Sequence, residues 1–202
     1  MHRSKFELLV AASAALALCA CDQKRTAHEA NEEKPANTAA TDHKDPVQSA
    51  TAAAPEALSR NATVVQAQAD GSMKTLREGS NGWTCMPDNP ATPGPDPMCL
   101  DANGLRWAQA WMSRQQPPAG VVGLAYMLTG GTDASNTDPY AQSPSEGNNW
   151  IETGPHLMVL GSREILQGHP ADPKPDTSVP FVMWAGTPYA HLMIPIGAGG
   201  EH

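Results

Sequence analysis

Two segments in the last third of this 202-residue chain repeat one pattern: His-Leu-Met-Val at residues 156–159 and His-Leu-Met-Ile at residues 191–194. Each segment predicts a β-strand, in which residues two apart share a face. If the two strands are neighbours, two imidazoles and two thioethers line one face of a sheet, from His156, Met158, His191 and Met193. The side chains expected to face the core on the other side are Leu157, Val159, Leu192 and Ile194.

The polar face of these two strands suggests a metal site. Thioether sulfur and imidazole nitrogen together suit copper, particularly Cu(I). The alternative is that methionine fills gaps in a sheet core and that histidine is a hydrogen-bonded core or rim residue. The sequence favours the second explanation. We therefore predict no resident cofactor, with copper held by His156, Met158, His191 and Met193 as the alternative.

The remaining elements of residues 61–198 predict a single globular domain. Strands are expected at 62–68 and 73–78 around an Asp70-Gly71 turn, then at 83–86, as a small antiparallel meander. Asp101 caps a helix that runs to about Arg114. Residues 121–129 are apolar on both faces, which predicts a central strand. Residues 181–184 and 189–196 predict a closing hairpin.

The sum is about seven strands and one principal helix. We therefore predict an α+β fold with a mainly antiparallel sheet, and a β-sandwich carrying one helix is the alternative.

The N-terminal residues predict a targeting segment. His2, Arg3 and Lys5 precede an apolar run at 8–18 that is too short to span a bilayer as a stop-transfer helix. The sequence Leu-Cys-Ala-Cys at 18–21 resembles the lipobox of bacterial lipoproteins. That resemblance implies a signal peptide at residues 1–20, a lipid on Cys21, and a membrane-anchored protein of the bacterial cell envelope with a periplasmic domain. Ordinary signal cleavage after 15–17 is the alternative.

The lipoprotein resemblance leaves the choice of membrane open. Asp22 after the lipidated cysteine favours the inner membrane by the rule of enterobacterial lipoproteins, but that rule varies between bacteria. Residues 21–60 have only Val47 and Leu58 as sizeable apolar residues, so we predict a disordered tether. Residues 199–202 are expected to form a frayed tail.

Two cysteines remain once Cys21 carries lipid and Cys19 is removed with the signal peptide. In an extracytoplasmic compartment Cys85 and Cys99 most simply form a disulfide. Their spacing is not Cys-x-x-Cys, so a metal or redox role is not favoured.

Residues 130–153 form the longest polar stretch of the domain, and a loop of this length is usually functional or poorly ordered. Aromatic residues flanked by Asn and Asp suit a sugar, a peptide or a small polar ligand. Structural turns and buried aromatic packing are the alternatives. The ligand-binding candidates are Asp133, Asn136, Asp138, Tyr140, Trp150, Trp184 and Tyr189.

Several function classes are excluded or disfavoured. The net charge of −8 and the lack of a Lys/Arg run argue against a nucleic-acid partner. No G-x-S-x-G or H-E-x-x-H motif is present, so no catalytic residue is predicted. We expect non-enzymatic binding of a small molecule or a protein of unknown identity, with membrane contact through the N-terminal lipid. Copper handling and a hydrolase without a recognised motif are the alternatives.

Four segments carry a second resemblance: Asn-Gly-Trp-Thr-Cys-Met-Pro-Asp at 81–88, Asp-Ala-Ser-Asn-Thr-Asp-Pro at 133–139, Gly-Pro-His-Leu-Met at 154–158 and Trp-Ala-Gly-Thr-Pro-Tyr at 184–189. Together they resemble a family of uncharacterised bacterial secreted or envelope proteins. The likeness spans most of residues 62–196. It implies no activity and no functional residues.

Overall fold

Along the described part of the chain, two short helices come first, then four strands, a longer helix and six further strands. The computed structural model describes residues 45–92, 94–131 and 134–197, which belong to one compact unit. The helices of the described residues are α1 (Pro46–Ala52), α2 (Glu56–Ser59), α3 (Ala102–Met112) and a 3-10 turn at Glu164–Leu166. The strands are β1 (Thr63–Ala67), β2 (Met73–Arg77), β3 (Thr84–Met86), β4 (Met98–Leu100), β5 (Gly123–Met127), β6 (Ala134–Ser135), β7 (Trp150–Ile151), β8 (His156–Leu160), β9 (Phe181–Met183) and β10 (His191–Pro195).

Eight of these strands form one sheet, in the order β2-β1-β3-β4-β5-β8-β10-β9, and β6 pairs with β7 in a separate ribbon. Every pair in the large sheet is antiparallel except β1–β3, which is parallel. The predicted α+β fold with a mainly antiparallel sheet and one principal helix is confirmed. The sandwich alternative is wrong for the described part of the chain, because its strands form one large sheet rather than two facing ones.

The predicted antiparallel meander at the start of the domain is wrong in its last step. β1 and β2 pair antiparallel as expected, but β3 lies on the other side of β1 and runs parallel to it. Residues 78–83 carry the chain from β2 past β1 to β3, instead of forming a tight turn between neighbouring strands. Strand β4 was not predicted, because the proline-rich stretch before it hid a three-residue strand.

The two repeated His-Leu-Met strands are neighbours, as the sequence analysis required for a shared face. In the antiparallel β8–β10 pair, Met193 lies opposite Met158 and Pro195 lies opposite His156. Opposed residues in a ladder point to the same face. All four residues of the predicted copper set therefore lie on one face of the sheet.

The expected burial of the two faces is largely reversed. Leu192 is buried, but Leu157, Val159 and Ile194 are only half-buried. The opposite face is the more deeply covered one: His156 and His191 are only 3% and 1% exposed. The prediction that the aliphatic residues form the core face is wrong for three of four positions, because α3 and the loops beside it cover the histidine–methionine face.

Helix α3 lies unusually close to that face. The carboxylate of Asp101 accepts a hydrogen bond from the backbone N–H of Gly104 at 2.7 Å, which confirms the predicted cap. A side chain built on Gly123 would meet the backbone nitrogen of Gly104 at 2.3 Å. The two glycines let the first turn of α3 rest directly on β5, whose central place in the sheet is also confirmed.

Residues 45–60 are folded, so the predicted disordered tether ends earlier than residue 60. The side chain of Asp45 caps α1 by accepting a hydrogen bond from the N–H of Val47 at 3.0 Å. Pro46 lies in the first turn, where a backbone N–H would have no partner within the helix, so proline costs no hydrogen bond there. Ala50 and Ala53 are completely buried. Small side chains let α1 pack closely on β1, β3 and β4. A search for large apolar residues overlooks this kind of contact.

The predicted disulfide between Cys85 and Cys99 is confirmed. The two cysteines are direct cross-strand partners on β3 and β4. They belong to a group of buried residues beneath α1 that we call the disulfide cluster. Its members are Ala50, Ala53, Ala54, Ala62, Val64, Cys85 and Cys99.

Some predictions fall on residues outside the described ranges. These are the signal peptide at 1–20, the lipidation site Cys21, the tether up to residue 44, Asp133 and the tail at 199–202. Among the described residues, no helix is both long and apolar enough to cross a membrane.

Candidate functional site

A cavity of about 380 Å³ lies between the histidine–methionine face of the sheet, helix α3, the loop between β3 and β4, and the loops that follow β5 and β6. The sheet supplies its floor, and α3 supplies two tryptophans. Its principal described lining residues are Asp96, Met98, Leu100, Trp107, Ala108, Trp111, Met127, Ser135, Asp138, Trp150, Thr153, His156, Met158, Leu160, Met183, Trp184, His191 and Met193. We refer to this space simply as the cavity.

Methionine dominates the floor of the cavity, which five of the nine methionines in the chain line. The strand registers arrange them in cross-strand pairs. Met158 lies opposite Met193, Met127 lies opposite His156, and Met183 lies opposite His191. Since opposed side chains are within reach of each other, each histidine has a thioether as its direct neighbour. The floor is therefore soft and adaptable, because methionine has three rotatable bonds.

His191 is held in one neutral form. Its Nδ1 lies 2.9 Å from the carbonyl oxygen of Tyr189. A carbonyl can only accept, so Nδ1 carries the hydrogen and Nε2 of the neutral ring is a lone-pair acceptor. Among the described residues, no group donates a hydrogen bond to this buried Nε2. Burial lowers the pKa of His191 to about 4, so the ring is uncharged at neutral pH.

His156 is arranged in the same way at the other end of the cavity floor. Its Nδ1 lies 2.7 Å from the carbonyl oxygen of Gly154, and burial lowers the pKa of His156 below its usual range. The residue opposite His156 on β10 is Pro195, four positions from His191. That offset is about 13 Å along the strands. The two histidines thus share a face and a cavity but are separated by the Met158–Met193 pair.

Three tryptophans form the wall opposite the sheet. The ring planes of Trp107 and Trp184 are within 4° of parallel with centroids 6.2 Å apart, and Trp111 lies 5.3 Å from Trp184. His191 packs its ring at a steep angle to both Trp107 and Trp184, at 5.4 and 5.0 Å. The buried Nε1 of Trp107 finds no acceptor among the described residues. An aromatic wall of this kind suits a flat apolar ligand.

Trp184 is held in an unusual backbone conformation. Its φ is +56°, in the left-handed region that bulky residues seldom adopt. Its backbone N–H donates to the carbonyl of Asn136 at 2.9 Å, and its indole Nε1 donates to the carbonyl of Ser135 at 2.8 Å. Strain of this kind persists only where surrounding contacts fix the residue, and it is common at binding sites. Here the contacts fix an indole against the cavity.

The loop after β6 is fastened to the end of α3. The indole Nε1 of Trp111 donates to the carbonyl of Pro139 at 3.1 Å, and the hydroxyl of Tyr140 donates to the carbonyl of Trp111 at 3.0 Å. The guanidinium of Arg114 lies 4.0 Å from the centre of the Tyr140 ring. These contacts hold the segment that contains Asp138 and Pro139 at the edge of the cavity.

The charged side chains at the cavity are acidic. Asp96 accepts hydrogen bonds from the backbone N–H of Asn89 at 2.7 Å and from the hydroxyl of Thr92 at 3.0 Å, and burial raises its pKa to about 6. Asp138 also lines the cavity. No lysine or arginine is among the described lining residues. The site therefore has no cation to bind an anionic group.

The residues predicted as ligand-binding have different places in the structure. Trp150, Trp184 and Asp138 line the cavity. The other described candidates serve the scaffold. Asn136 donates to the carbonyls of Asp172 and Pro173, and the hydroxyls of Tyr140 and Tyr189 donate to backbone carbonyls of α3 and the segment after it.

Sequence analysis missed much of the lining. Trp107 and Trp111 lie on the predicted helix but were not among the predicted ligand-binding residues. Met98, Met127 and Met183 were not singled out. The sequence signal that could have found them is the alternation of side chains in each strand. It assigns Met127 to one face of β5 and Met183 to one face of β9. Their joining in one floor depends on strand order, which one sequence does not supply.

A metal at this site would have to depend on sulfur. Within the described ranges, no three histidine, cysteine, aspartate or glutamate side chains are grouped as a metal site would need. The two imidazoles with free lone pairs and the thioethers between them are the available donors.

Comparison of the chain with family models, with curated proteins and with solved structures found no match. The resemblance to bacterial secreted proteins therefore stays a prediction.

Proposed function

We propose that this domain is a non-enzymatic binding protein that holds a small, largely apolar molecule in the cavity. The observation that carries the proposal is the cavity of about 380 Å³, lined by four tryptophans and five methionines. Small-molecule sites typically have volumes of about 300–1,000 Å³ and combine apolar walls with a few polar groups.

The arrangement of the hydroxyl and imidazole groups supports binding rather than turnover. The hydroxyl of Ser135 donates to the carbonyl of Asn148 and accepts the N–H of Asp138 at 2.8 Å. It is therefore engaged by the backbone rather than activated by a base. The Nδ1 atoms of both cavity histidines face backbone carbonyls instead of carboxylates. A screen that found robust hydrolysis, abolished by a single substitution in the domain, would contradict the proposal.

A filled cavity tests the proposal directly. The probe is 2-naphthol, a flat and mainly apolar molecule, and its dissociation constant is measured by chemical-shift titration. Ala108→Met places a longer side chain into the cavity from α3, and we expect it to weaken binding at least tenfold. Ala110→Met is the matched control, because Ala110 lies on the same helix but is not a lining residue. Absence of binding to the wild-type protein, or equal weakening by both variants, would contradict the proposal.

Copper binding is the second candidate, favoured by the cross-strand pairs Met127–His156 and Met183–His191. Backbone carbonyls fix both imidazoles with Nε2 as the lone-pair atom, which is how metal-binding histidines are usually oriented. Calorimetric titration with Cu(I) and Cu(II) tests this candidate. We expect Cu(I) to bind the wild-type protein more tightly than a His156→Ala/His191→Ala variant. Equal binding to the two proteins would end this candidate.

The proposal also includes a cellular location, a membrane-anchored protein with its domain in the periplasm. The lipobox at residues 18–21 supports a lipid anchor on Cys21, and a buried disulfide suits an oxidising compartment such as the periplasm. Cys21→Ser should release the protein from membranes of the bacterial host. Unchanged membrane association of that variant would refute lipidation at Cys21.

A further inference from the structure

Two polar atoms in the wall of the cavity have no hydrogen-bond partner among the described residues, and they have complementary chemistry. Trp107 Nε1 is a donor only, and His191 Nε2 is an acceptor because Nδ1 of the same ring faces the carbonyl of Tyr189. Both atoms are buried, and both side chains line the cavity. The two rings are neighbours, with centroids 5.4 Å apart. A donor and an acceptor without partners among the described residues thus belong to two neighbouring rings.

Other polar groups of the same wall are already satisfied. The indole Nε1 atoms of Trp184 and Trp111 donate to backbone carbonyls at 2.8 and 3.1 Å. Burying a polar group without a hydrogen bond is costly, and most buried groups in native proteins avoid it. Trp107 and His191 are therefore exceptions that ask for an explanation. A ligand that supplies both missing partners is one.

We infer that the ligand of the cavity is an uncharged, mainly apolar molecule with a hydroxyl group, an alcohol or a phenol, that binds between Trp107 and His191. A hydroxyl can donate to His191 Nε2 while its oxygen accepts from Trp107 Nε1. The inference rests on the proposed function, whose cavity it uses.

The surroundings disfavour an anionic ligand. The described lining includes no lysine or arginine, and its charged members are Asp96 and Asp138. A ligand carboxylate or phosphate would be buried without a counter-charge, which is strongly unfavourable. His191 cannot supply that charge, since burial lowers its pKa to about 4. The flexible thioethers of Met183 and Met193 next to the histidine can move aside to admit the ligand atom.

The test compares two probes of nearly the same shape: 2-naphthol, and 2-methylnaphthalene, in which a methyl group replaces the hydroxyl. We expect the wild-type protein to prefer 2-naphthol roughly tenfold, the effect of two hydrogen bonds of ordinary net strength. His191→Phe and Trp107→Phe each remove one partner and should reduce the preference to roughly threefold or less. Trp83→Phe is the control, because Trp83 packs beside the disulfide cluster and does not line the cavity. It should leave the preference unchanged.

The outcomes separate this inference from the proposal beneath it. Equal binding of both probes to the wild-type protein would overturn the hydroxyl ligand while leaving a binding cavity in place, with water or nothing between the two rings. A preference that survives in both His191→Phe and Trp107→Phe would overturn it as well. Failure of both probes to bind would overturn the inference and the proposed function together.

Discussion

The two faces of the sheet are built from different kinds of side chains. The disulfide cluster under α1 consists of four alanines, one valine and two bonded cysteines. The other face carries tryptophans, methionines and histidines around the cavity, with α3 above them. Strand β4 contributes to both, since Cys99 faces α1 while Met98 and Leu100 face the cavity.

Under the proposed function, this difference separates the half of the domain that stabilises the fold from the half that binds a ligand. Small side chains let a helix approach closely and leave little room between the elements, and a covalent bond then secures that half. Large flat rings and flexible thioethers cannot interlock as closely, and on this face they leave a cavity of about 380 Å³. We expect substitutions on the first face to change stability alone. Substitutions on the second face should change ligand binding as well.

Removal of the disulfide should have the largest effect on stability. In Cys85→Ala/Cys99→Ala the bond that closes a loop of 14 residues is lost. We expect the free energy of unfolding to fall by roughly 3 kcal/mol, measured by chemical denaturation. The affinity for 2-naphthol, measured where the variant is still folded, should not change. A folded variant that no longer binds the probe would break the distinction between the two faces.

Acid should destabilise the cavity face through His191. Burial lowers the pKa of His191 to about 4 in the folded protein, against an unfolded value near 6.5. The unfolded chain therefore binds more protons between these values. The contribution of neutral His191 to the free energy of unfolding is complete above pH 6.5. It is lost as the pH falls, by roughly 3 kcal/mol at pH 4. His156, whose pKa is also lowered by burial, adds to the same trend.

The variant His191→Phe isolates this effect. Asp96 acts in the opposite direction, because burial raises its pKa to about 6, so the comparison has to be made between variants rather than on the wild-type curve alone. We expect unfolding curves from pH 7 to pH 4 to show a weaker acid loss in His191→Phe than in the wild-type protein. Parallel curves for the two proteins would show that His191 is not held neutral in the fold.

A matched pair of helix substitutions gives the smallest but most specific contrast. Ala50→Met in α1 inserts a long side chain into a site without space, and overpacking of this kind costs about 1–3 kcal/mol. Ala108→Met in α3 places the same side chain against the cavity, where we expect a cost below about 1 kcal/mol. Thermal unfolding of both variants measures the difference. Equal costs would mean that the two faces are packed alike.

Much of the fold could be read from residue patterns. The alternation of residues 156–160 and 191–195 predicted two strands, the cap at Asp101 predicted α3, and two leftover cysteines predicted the disulfide. These features depend on neighbours in the sequence or on simple elimination. What failed depended on distant contacts. The parallel β1–β3 pair and the burial of α1 depend on which distant segments pack together. The residue pattern of a single sequence does not contain that information.

The candidate site could be predicted only in part, because it too depends on contacts between residues far apart in the sequence. The shared face of the two histidines follows from strand alternation and a correct guess that β8 and β10 are neighbours. The backbone offset of about 13 Å along the strands depends on their register, which strand alternation alone does not determine. Met127 and Met183 come from other strands and join the floor only through the sheet order. The aliphatic residues seemed the natural core, yet the histidine–methionine face is the one that α3 covers.

The central claim, that the cavity binds a small molecule, is tested most directly by the indole N–H resonances of the five tryptophans. Trp107, Trp111, Trp150 and Trp184 line the cavity, whereas Trp83 packs with Tyr126 beside the disulfide cluster. On titration with 2-naphthol, we predict saturable shifts for the four cavity indoles and none for Trp83. No shift at all, or equal shifts at all five indoles, would contradict the account.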